Sequence, residues 1–202
     1  MSPIVVFDLG KVLVDFDYTI AAKKVAACSS KQVEKLHEFL GGSTLLVRFE
    51  TGLLTREQFF SEIRQITGFG GTIDEFSEYF ADIFLPIEPM VELHAALRKQ
   101  KIPTYIFSNT NDIAVEHIRR EFPFFSHFDG YIYSYKVGAM KPSAKIYQAL
   151  EEMSGRKGAE IFYIDDRLEN VEAGAARGWK MVLHETPEKT RAALQKFISV
   201  EV

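Results

Sequence analysis

The stretch Ile4-Val-Val-Phe-Asp-Leu-Gly-Lys-Val-Leu-Val-Asp-Phe-Asp17 decides the fold. It opens with a short, continuous apolar run, residues 4–7, that is rich in β-branched side chains. Such a run predicts a strand buried on both faces of a parallel sheet. The strand ends in Asp8, and Gly10 allows a sharp turn after it. An acid at this position lies where open α/β sheets bind ligands, although a carboxylate that only caps a loop fits the same pattern.

The composition narrows the class of protein. A chain of 202 residues suits one domain, or a core domain with one inserted module. The net charge of −4, without a basic block, argues against non-specific nucleic-acid binding. The single cysteine, Cys28, excludes an intramolecular disulfide and fits a reducing compartment. Without a signal peptide or an apolar run of membrane-spanning length, we expect a cytoplasmic monomer or small homo-oligomer that binds no membrane.

Helical patterns fill the chain from residue 17 to residue 83. The first three predicted helices cover residues 18–27, 31–40 and 43–50, and Gly41-Gly42 is expected to stop the second. Three residue pairs have the spacing of a capping box, which marks a helix start: Ser29 with Gln32, Thr55 with Gln58, and Thr72 with Glu75. No strand is predicted in this segment, so it is expected to be an all-helical insert.

Strands and helices alternate in the rest of the chain. The predicted strands cover residues 104–108, 131–134, 161–165 and 180–183, with helices between them, one of which carries Ile146, Leu150 and Met153. Thr186-Pro187 opens a last helix. This rhythm predicts an α/β fold with a three-layer, Rossmann-like parallel sheet. The expected domains are an α/β core of residues 1–16 and 86–202 and a helical domain of residues 17–85.

Polar side chains follow four of the predicted strands. They are Asp8, the run Ser108-Asn109-Thr110, Lys141, and the pair Asp165-Asp166. Because the carboxyl ends of parallel strands meet at one edge of the sheet, we expect these groups to converge. Carboxylates suit a hard cation such as Mg²⁺, and a lysine with hydroxyl and amide donors suits a phosphoryl group. A carboxylate can also attack phosphorus and form an acyl phosphate.

Each signal also has a purely structural interpretation. Ser108-Asn109-Thr110 fits a turn and helix cap, Lys141-Pro142 a solvated approach to a helix, and Asp165-Asp166 a cap for the helix that follows. Each of these interpretations is credible alone. The occurrence of all four groups in this order favours one site.

Four segments together resemble a known superfamily. They are Phe-Asp-Leu-Gly-Lys-Val-Leu, Phe-Ser-Asn-Thr-Asn, Lys-Pro-Ser-Ala-Lys-Ile-Tyr and Ile-Asp-Asp-Arg-Leu-Glu-Asn. They resemble the four motifs of the haloacid dehalogenase (HAD) superfamily with a helical C1 cap, over nearly the whole chain. Within it, the sequence is most similar to the bacterial α-D-glucose-1-phosphate phosphatases, through the Ser-Asn-Thr-Asn and Lys-Pro-x-x-x-Ile-Tyr segments.

The resemblance implies a role for each matching residue. Asp8 would be the nucleophile and a Mg²⁺ ligand, together with the Gly10 carbonyl and Asp166. Lys141, Ser108 and the Asn109 backbone would bind the phosphoryl group, and Lys141 would also hold Asp8 in place. Asp165 would be a further ligand or a support for the ligands, and Asn170 matches a position that is often acidic in relatives.

One departure from the family pattern concerns catalysis. Most phosphatases of the superfamily carry a second aspartate two residues after the nucleophile, where this chain has Gly10. General acid–base help contributes about 10²–10⁴-fold to a rate. Asp15 could supply that help or be a structural turn residue, which we favour. Lys11 replaces the usual Asn or Gly and either adds charge near the phosphate or points to solvent.

The resemblance implies a Mg²⁺-dependent phosphomonoesterase that acts on a small phosphorylated metabolite, such as glucose 1-phosphate, through an aspartyl-phosphate. Two alternatives remain open: a 2-haloacid dehalogenase, and a catalytically weak binding or regulatory protein, which Gly10 motivates. The cap is expected to select the substrate, with Arg48 and Glu50 as candidate contacts. The chain crossings near residues 15–17 and 86–89 are expected to be its hinges.

Overall fold

Seven strands and eleven helices form the part of the chain that the computed structural model describes, residues 3–198. The strands are β1 (Ile4–Phe7), β2 (Val14–Phe16), β3 (Phe84–Pro86), β4 (Thr104–Ser108), β5 (Gly130–Tyr133), β6 (Ile161–Asp165) and β7 (Lys180–Leu183). The helices are α1 (Tyr18–Ala27), α2 (Leu36–Gly42), α3 (Thr44–Glu50), α4 (Arg56–Thr67), α5 (Ile73–Ala81), α6 (Glu88–Lys99), α7 (Asp112–Glu121), α8 (Ser134–Val137), α9 (Ala144–Ser154), α10 (Leu168–Ala176) and α11 (Pro187–Phe197). Residues 1, 2 and 199–202 of the expected core domain lie outside the described residues.

Five of the strands form one parallel sheet in the order β5-β4-β1-β6-β7. The central strand β1 pairs with β4 on one side, where Phe7 lies opposite Ile106, and with β6 on the other, where Phe7 lies opposite Ile164. The residue that follows β1 is therefore flanked by the carboxyl ends of both neighbours. This arrangement confirms the predicted α/β fold with a Rossmann-like sheet.

Side chains of β1 alternate between the two faces of the sheet. Val5 and Phe7 belong to a buried cluster that also includes apolar residues of α6, α7 and α11. Ile4 and Val6 belong to a second cluster with apolar residues of α9. All four side chains are fully or almost fully buried, and complete burial of a side chain such as Phe7 stabilises the fold by about 1.5–3 kcal/mol. Helices on both faces of the sheet give the predicted three layers.

Helices α1 to α5 lie between β2 and β3 and share a separate apolar cluster rich in phenylalanine. Within it, the rings of Phe49 and Phe59 stack with their centroids 4.3 Å apart. The predicted capping boxes at Thr55 and Thr72 are both present. Ile113 of α7 also belongs to this cluster, so the five helices, called the helical insert below, pack against the helix that follows β4.

The second predicted helix of the insert was wrong at its start and its end. It begins at Leu36 instead of residue 31, and Lys35 precedes it with a left-handed φ of 52°. The Ser29 hydroxyl donates a hydrogen bond to the Val25 carbonyl at 2.7 Å, within the preceding turn, and not to a new helix start. Gly41 and Gly42 form the last residues of α2, which extends through both.

Three smaller features differ from the sequence-based expectation. Strands β2 and β3 pair antiparallel, so a two-stranded ribbon joins the crossings that were expected to be hinges. Ser134 begins α8 and does not end β5. Met153 is 56% exposed and lies outside the apolar stripe of α9. Among residues 3–198, no helix has the length and apolar content needed to cross a membrane.

Candidate active site

The carboxyl edge of the sheet gathers the polar groups that the sequence singled out. Asp8 directly follows β1, Ser108 ends β4, and Asp165 ends β6, with Asp166 next in the chain. Asp8, Ser108 and Asp165 are buried and Asp166 is half-buried. Buried polar groups of this kind require partners, and their partners define the site.

Lys141 joins the strand ends through its ammonium group. Its Nζ lies 3.0 Å from Asp8 Oδ1 and 2.6 Å from Asp165 Oδ2. It also donates a 2.8 Å hydrogen bond to the Phe107 carbonyl. These contacts use all three donors of the ammonium and fix its position. Burial alone lowers the pKa of Lys141, but Asp8 and Asp165 outweigh that effect and hold the pKa above its usual range.

Asp165 has no unused acceptor position. Its Oδ1 accepts hydrogen bonds from the Arg167 amide at 2.8 Å and from Asn170 Nδ2 at 2.9 Å. Its Oδ2 accepts from Lys141 and from the Tyr163 hydroxyl. Although burial raises the pKa of Asp165, the Lys141 charge and these hydrogen bonds lower it below its usual value. The Asp165 carboxylate is therefore ionised and fully engaged.

The acidic cluster has the donor set of a divalent cation site. Oxygen atoms of Asp8, Asp165 and Asp166 lie within 4.8 Å of one another. Burial raises the pKa of Asp8 above its usual range, against the lowering effect of Lys141. Three carboxylates face one ammonium, so the ionised cluster carries excess negative charge. A hard cation with a preference for oxygen ligands, such as Mg²⁺, fits this chemistry.

Gly10 lines the site where the family pattern has an aspartate. A Cβ atom built on Gly10 would lie 2.8 Å from Cε1 of Phe16, closer than real Cβ contacts. The Phe16 ring therefore occupies the space that a side chain at position 10 would need. No local pattern in the sequence indicates this contact, because it forms only when the chain reverses between β1 and β2 and brings Phe16 back to Gly10.

Lys11 and Asp15 pair with each other at the protein surface. Lys11 Nζ forms an ion pair with the Asp15 carboxylate and donates a 3.1 Å hydrogen bond to the Phe16 carbonyl. It also lies 4.5 Å from the centroid of the Phe16 ring. Lys11 partly lines the cavity described below, whereas Asp15 does not. These contacts support the interpretation of Asp15 as a structural turn residue instead of an acid–base group.

The loop after β4 is tied to the segment that carries Lys141. Asn109 accepts a 2.7 Å hydrogen bond from the Lys141 amide and donates a 3.1 Å bond to the Lys141 carbonyl. Asn111, not Ser108, caps α7, because its Oδ1 accepts from the Ala114 amide at 3.0 Å. Asn111 therefore has the role of helix cap. Among the residues that the structure describes, the Ser108 hydroxyl donates one hydrogen bond, to the adjacent Asn109 carbonyl at 3.3 Å.

A cavity of about 260 Å³ lies between the sheet edge and the helical insert. The sheet edge contributes, among others, Asp8, Gly10, Lys141 and Asp166; the insert and the segment before it contribute Phe16, Tyr18, Gly41, Leu46 and Glu50. Of the two candidate substrate contacts, only Glu50 lines this cavity. Arg48 instead pairs with Glu62 at 3.2 Å. A larger cavity of about 390 Å³ beside α4 and α7 contains none of the acidic cluster.

Comparison with known proteins identifies the family. A model of the haloacid dehalogenase-like hydrolases matches residues 3–178, and the chain therefore belongs to that family of enzymes. A D-ribitol-5-phosphate phosphatase from Bacteroides thetaiotaomicron is 24% identical over 187 residues, which cover 87% of this chain and 88% of that protein.

Two solved structures share the fold. A HAD family enzyme from Bacteroides thetaiotaomicron, in complex with magnesium and inorganic phosphate, has a TM-score of 0.79 at 23% identity and covers 90% of this chain and 93% of its own. A predicted HAD-like hydrolase from Porphyromonas gingivalis has a TM-score of 0.79 at 24% identity. The match covers 95% of this chain and 98% of that chain. Neither comparison assigns this chain to the glucose-1-phosphate phosphatases within the superfamily.

Proposed function

We propose that the protein is a Mg²⁺-dependent phosphomonoesterase that acts on a small phosphorylated metabolite through an aspartyl-phosphate. The observation that carries the proposal is the contact of Lys141 Nζ with both Asp8 and Asp165 inside a cluster of three carboxylates. A nucleophilic carboxylate, a buried ammonium group and carboxylates that can bind a divalent cation, all at one sheet edge, are what this chemistry requires.

The proposed roles are consistent with the positions of the side chains. Asp8 attacks phosphorus with one carboxylate oxygen while Oδ1 is held by Lys141 and by the Leu9 amide at 2.7 Å. Lys141 neutralises charge on the phosphoryl oxygens, and Ser108 with the Asn109 backbone donates hydrogen bonds to them. Asp165 keeps Lys141 in position. Because these groups are fixed before substrate arrives, they need not reorganise during the reaction.

Asp8, Asp166 and the Gly10 carbonyl are the proposed Mg²⁺ ligands. Asp165 is the weaker candidate, since both of its oxygens already accept two hydrogen bonds. When bound, the cation would offset the excess negative charge and so let an anionic phosphate approach Asp8. A solved structure of the same fold is a complex with magnesium and inorganic phosphate, which is consistent with a magnesium site in this chain.

The helical insert is the proposed cap domain, with residues 17–85 as its limits. Its separate apolar cluster supports this division. The cavity of about 260 Å³ is smaller than a typical ligand pocket of roughly 300–1,000 Å³, which favours a small metabolite. A sugar phosphate such as glucose 1-phosphate fits this size, as does a sugar-alcohol phosphate like the one named for the Bacteroides relative.

The decisive experiment measures phosphate release from a panel of sugar and sugar-alcohol phosphates, with Mg²⁺ and with a chelator. We expect release that requires Mg²⁺ and is abolished in Asp8→Asn. Lys145→Met, an exposed lysine near Lys141, is the control and should retain activity. The cytoplasmic location and the monomeric or small homo-oligomeric state stay predictions, the latter open to light scattering.

Two further measurements separate the alternatives. Release of chloride from 2-chloropropionate without metal would favour a haloacid dehalogenase. Binding of inorganic phosphate without turnover on any substrate would favour a binding or regulatory protein. Either result would contradict the phosphomonoesterase proposal.

A further inference from the structure

Cleavage of an alkyl phosphate needs a proton source, and position 10, where the family pattern has an aspartate, carries none. The departing alkoxide is strongly basic and must be protonated as the P–O bond breaks. Gly10 has no acid, and the Phe16 ring leaves no room for one. Asp15 is committed to Lys11 at the surface. Another group that faces the cavity must therefore supply the proton, a requirement that rests on the proposed function.

Glu50 is the acidic residue that the insert presents to this cavity. It is the last residue of α3 and lines the cavity together with Asp8, Gly10 and Lys141. It also lines a narrower space next to it, together with Gly10 and Ser108. Glu50 and the nucleophile therefore line the same cavity, Glu50 from the insert and Asp8 from the sheet edge.

The Glu50 carboxyl is only weakly engaged. Asn111 Nδ2 lies 3.5 Å from Oε1, at the long limit of a hydrogen bond. Within residues 3–198, no basic side chain forms an ion pair with it, and its neighbour Arg48 pairs with Glu62 instead. Burial raises the pKa of Glu50 to about 7. A large fraction of the carboxyl therefore carries a proton near neutral pH.

The Glu50 backbone is fixed to the sheet edge. The Ser134 hydroxyl donates a 2.6 Å hydrogen bond to the Glu50 carbonyl and accepts a 2.9 Å bond from the Thr110 amide. Two residues later, Gly52 lies so close to the Tyr135 carbonyl that a Cβ atom would be 2.2 Å from that oxygen. These contacts hold the acid at a defined distance from the loop that carries Ser108 and Asn109.

We propose that Glu50 is the general acid–base of this enzyme and takes the place of the aspartate missing at position 10. In the first step, an Asp8 oxygen bonds to phosphorus, the bond to the leaving oxygen breaks, and the Glu50 proton passes to that oxygen. In the second step, the Glu50 carboxylate takes a proton from water, the water oxygen bonds to phosphorus, and the bond between phosphorus and the Asp8 oxygen breaks. Inorganic phosphate leaves, and Asp8 returns as a carboxylate with Glu50 protonated.

Substrates with different leaving groups test this role. An alkyl phosphate requires the proton, whereas p-nitrophenyl phosphate releases a stable anion and does not. Glu50→Gln keeps the size of the side chain and its contact with Asn111. We expect it to lower kcat/KM for a sugar-alcohol phosphate by about 10²-fold or more, and to change kcat/KM for p-nitrophenyl phosphate by less than about fivefold.

The pH profile gives an independent readout. Wild-type kcat/KM for the alkyl substrate should fall as the pH rises through about 7, because the acid loses its proton, and this limb should be missing in Glu50→Gln. The other titratable and charged groups around the cavity are Tyr18 of α1, Asp8, Lys11, Lys141, Asp166 and Arg167. A fall in kcat/KM that appears with both substrates, and in both wild type and Glu50→Gln, would come from one of these groups.

Control variants separate the possible failures. Glu57→Gln changes an exposed glutamate of the same insert and should leave both substrates unaffected. An equal loss on both substrates in Glu50→Gln would show a binding or positioning role and overturn the proposal, as would no loss on either. Activity that survives in Asp8→Asn would instead refute the proposed function itself.

Discussion

The Asn109 side chain forms two hydrogen bonds with the backbone of Lys141: it accepts one from the amide at 2.7 Å and donates one to the carbonyl at 3.1 Å. One amide thus joins the loop after β4 to the segment before α9. Lys141 lies between α8 and α9, outside any helix or strand, so this link helps to position its ammonium group.

Asn109→Ala should reduce both stability and activity. Two hydrogen bonds are lost at a half-buried position, which should lower the free energy of unfolding by about 1–3 kcal/mol. Inorganic phosphate should also bind more weakly, since Lys141 is less well positioned. Urea unfolding and isothermal titration calorimetry would measure the two effects. Ser143→Ala, at an exposed residue two positions beyond Lys141, is the control, and equal behaviour of the two variants would contradict the prediction.

Lys141→Met should destabilise the protein in a pH-dependent way. Removal of one partner leaves Asp8 and Asp165 buried without a counter-charge, which costs about 3–5 kcal/mol near neutral pH. The loss should shrink at lower pH, because protonation of these carboxylates removes the repulsion. Urea unfolding at pH 7.5 and 5 in a chelator would measure it, with Lys145→Met as control. A loss that is constant with pH would argue against charge as the cause.

Gly10→Asp should not simply restore the family pattern. Its Cβ would clash with the Phe16 ring, and such overpacking typically costs about 1–3 kcal/mol. Addition of Phe16→Ala provides the space and should recover part of the loss in melting temperature. In the Glu50→Gln background, the same pair of changes should raise kcat/KM for an alkyl phosphate. If Gly10→Asp alone were as stable as wild type, the steric explanation would be wrong.

His94 should make the protein less stable in acid. Its ring stacks on Phe128 with centroids 3.8 Å apart, and Nε2 lies 3.1 Å from the Thr104 hydroxyl. Burial lowers the pKa of His94 from 6.5 to about 4. Between these two pH values His94 is protonated in the unfolded chain and neutral in the folded protein. The free energy of unfolding therefore falls as the pH falls through this range.

The size of the His94 effect follows from the pKa difference. At about 1.4 kcal/mol per pKa unit, wild type should lose roughly 2–3 kcal/mol between pH 7 and pH 4.5 from this residue. His94→Gln stays neutral and should lack that part of the loss in urea unfolding. His37→Gln, at an exposed residue, should follow wild type. Parallel pH curves for wild type and His94→Gln would refute the prediction.

The sheet and its polar edge could be predicted because their signals are local. The strands Thr104–Ser108, Ile161–Asp165 and Lys180–Leu183 have the predicted bounds, since each is an apolar run that ends at a polar or turn residue. The order of strand ends then predicted that Asp8, Lys141 and the acidic pair would meet, and the structure brings them together. Their catalytic roles stay predictions.

The remaining features depend on contacts between distant residues. Ser29 has the spacing of a capping box, but its hydroxyl bonds back to Val25, and the helix starts later. Strands of three residues, such as β2 and β3, are too short to show a periodic pattern. The enclosure of Glu50 and the Phe16 ring over Gly10 arise only when the insert folds against the sheet edge.

The pairing of β2 with β3 has a consequence for how this architecture can change. Because the chain leaves and re-enters the sheet domain along two adjacent, mutually bonded strands, everything between them is topologically a single large hairpin loop. Such a loop can be exchanged for one of another length or shape without displacing the scaffold beneath it. A chimaera that grafts a foreign insert at Phe16 and Phe84 would retain the groups of the sheet edge, and the new insert would have to bring its own acid in place of Glu50.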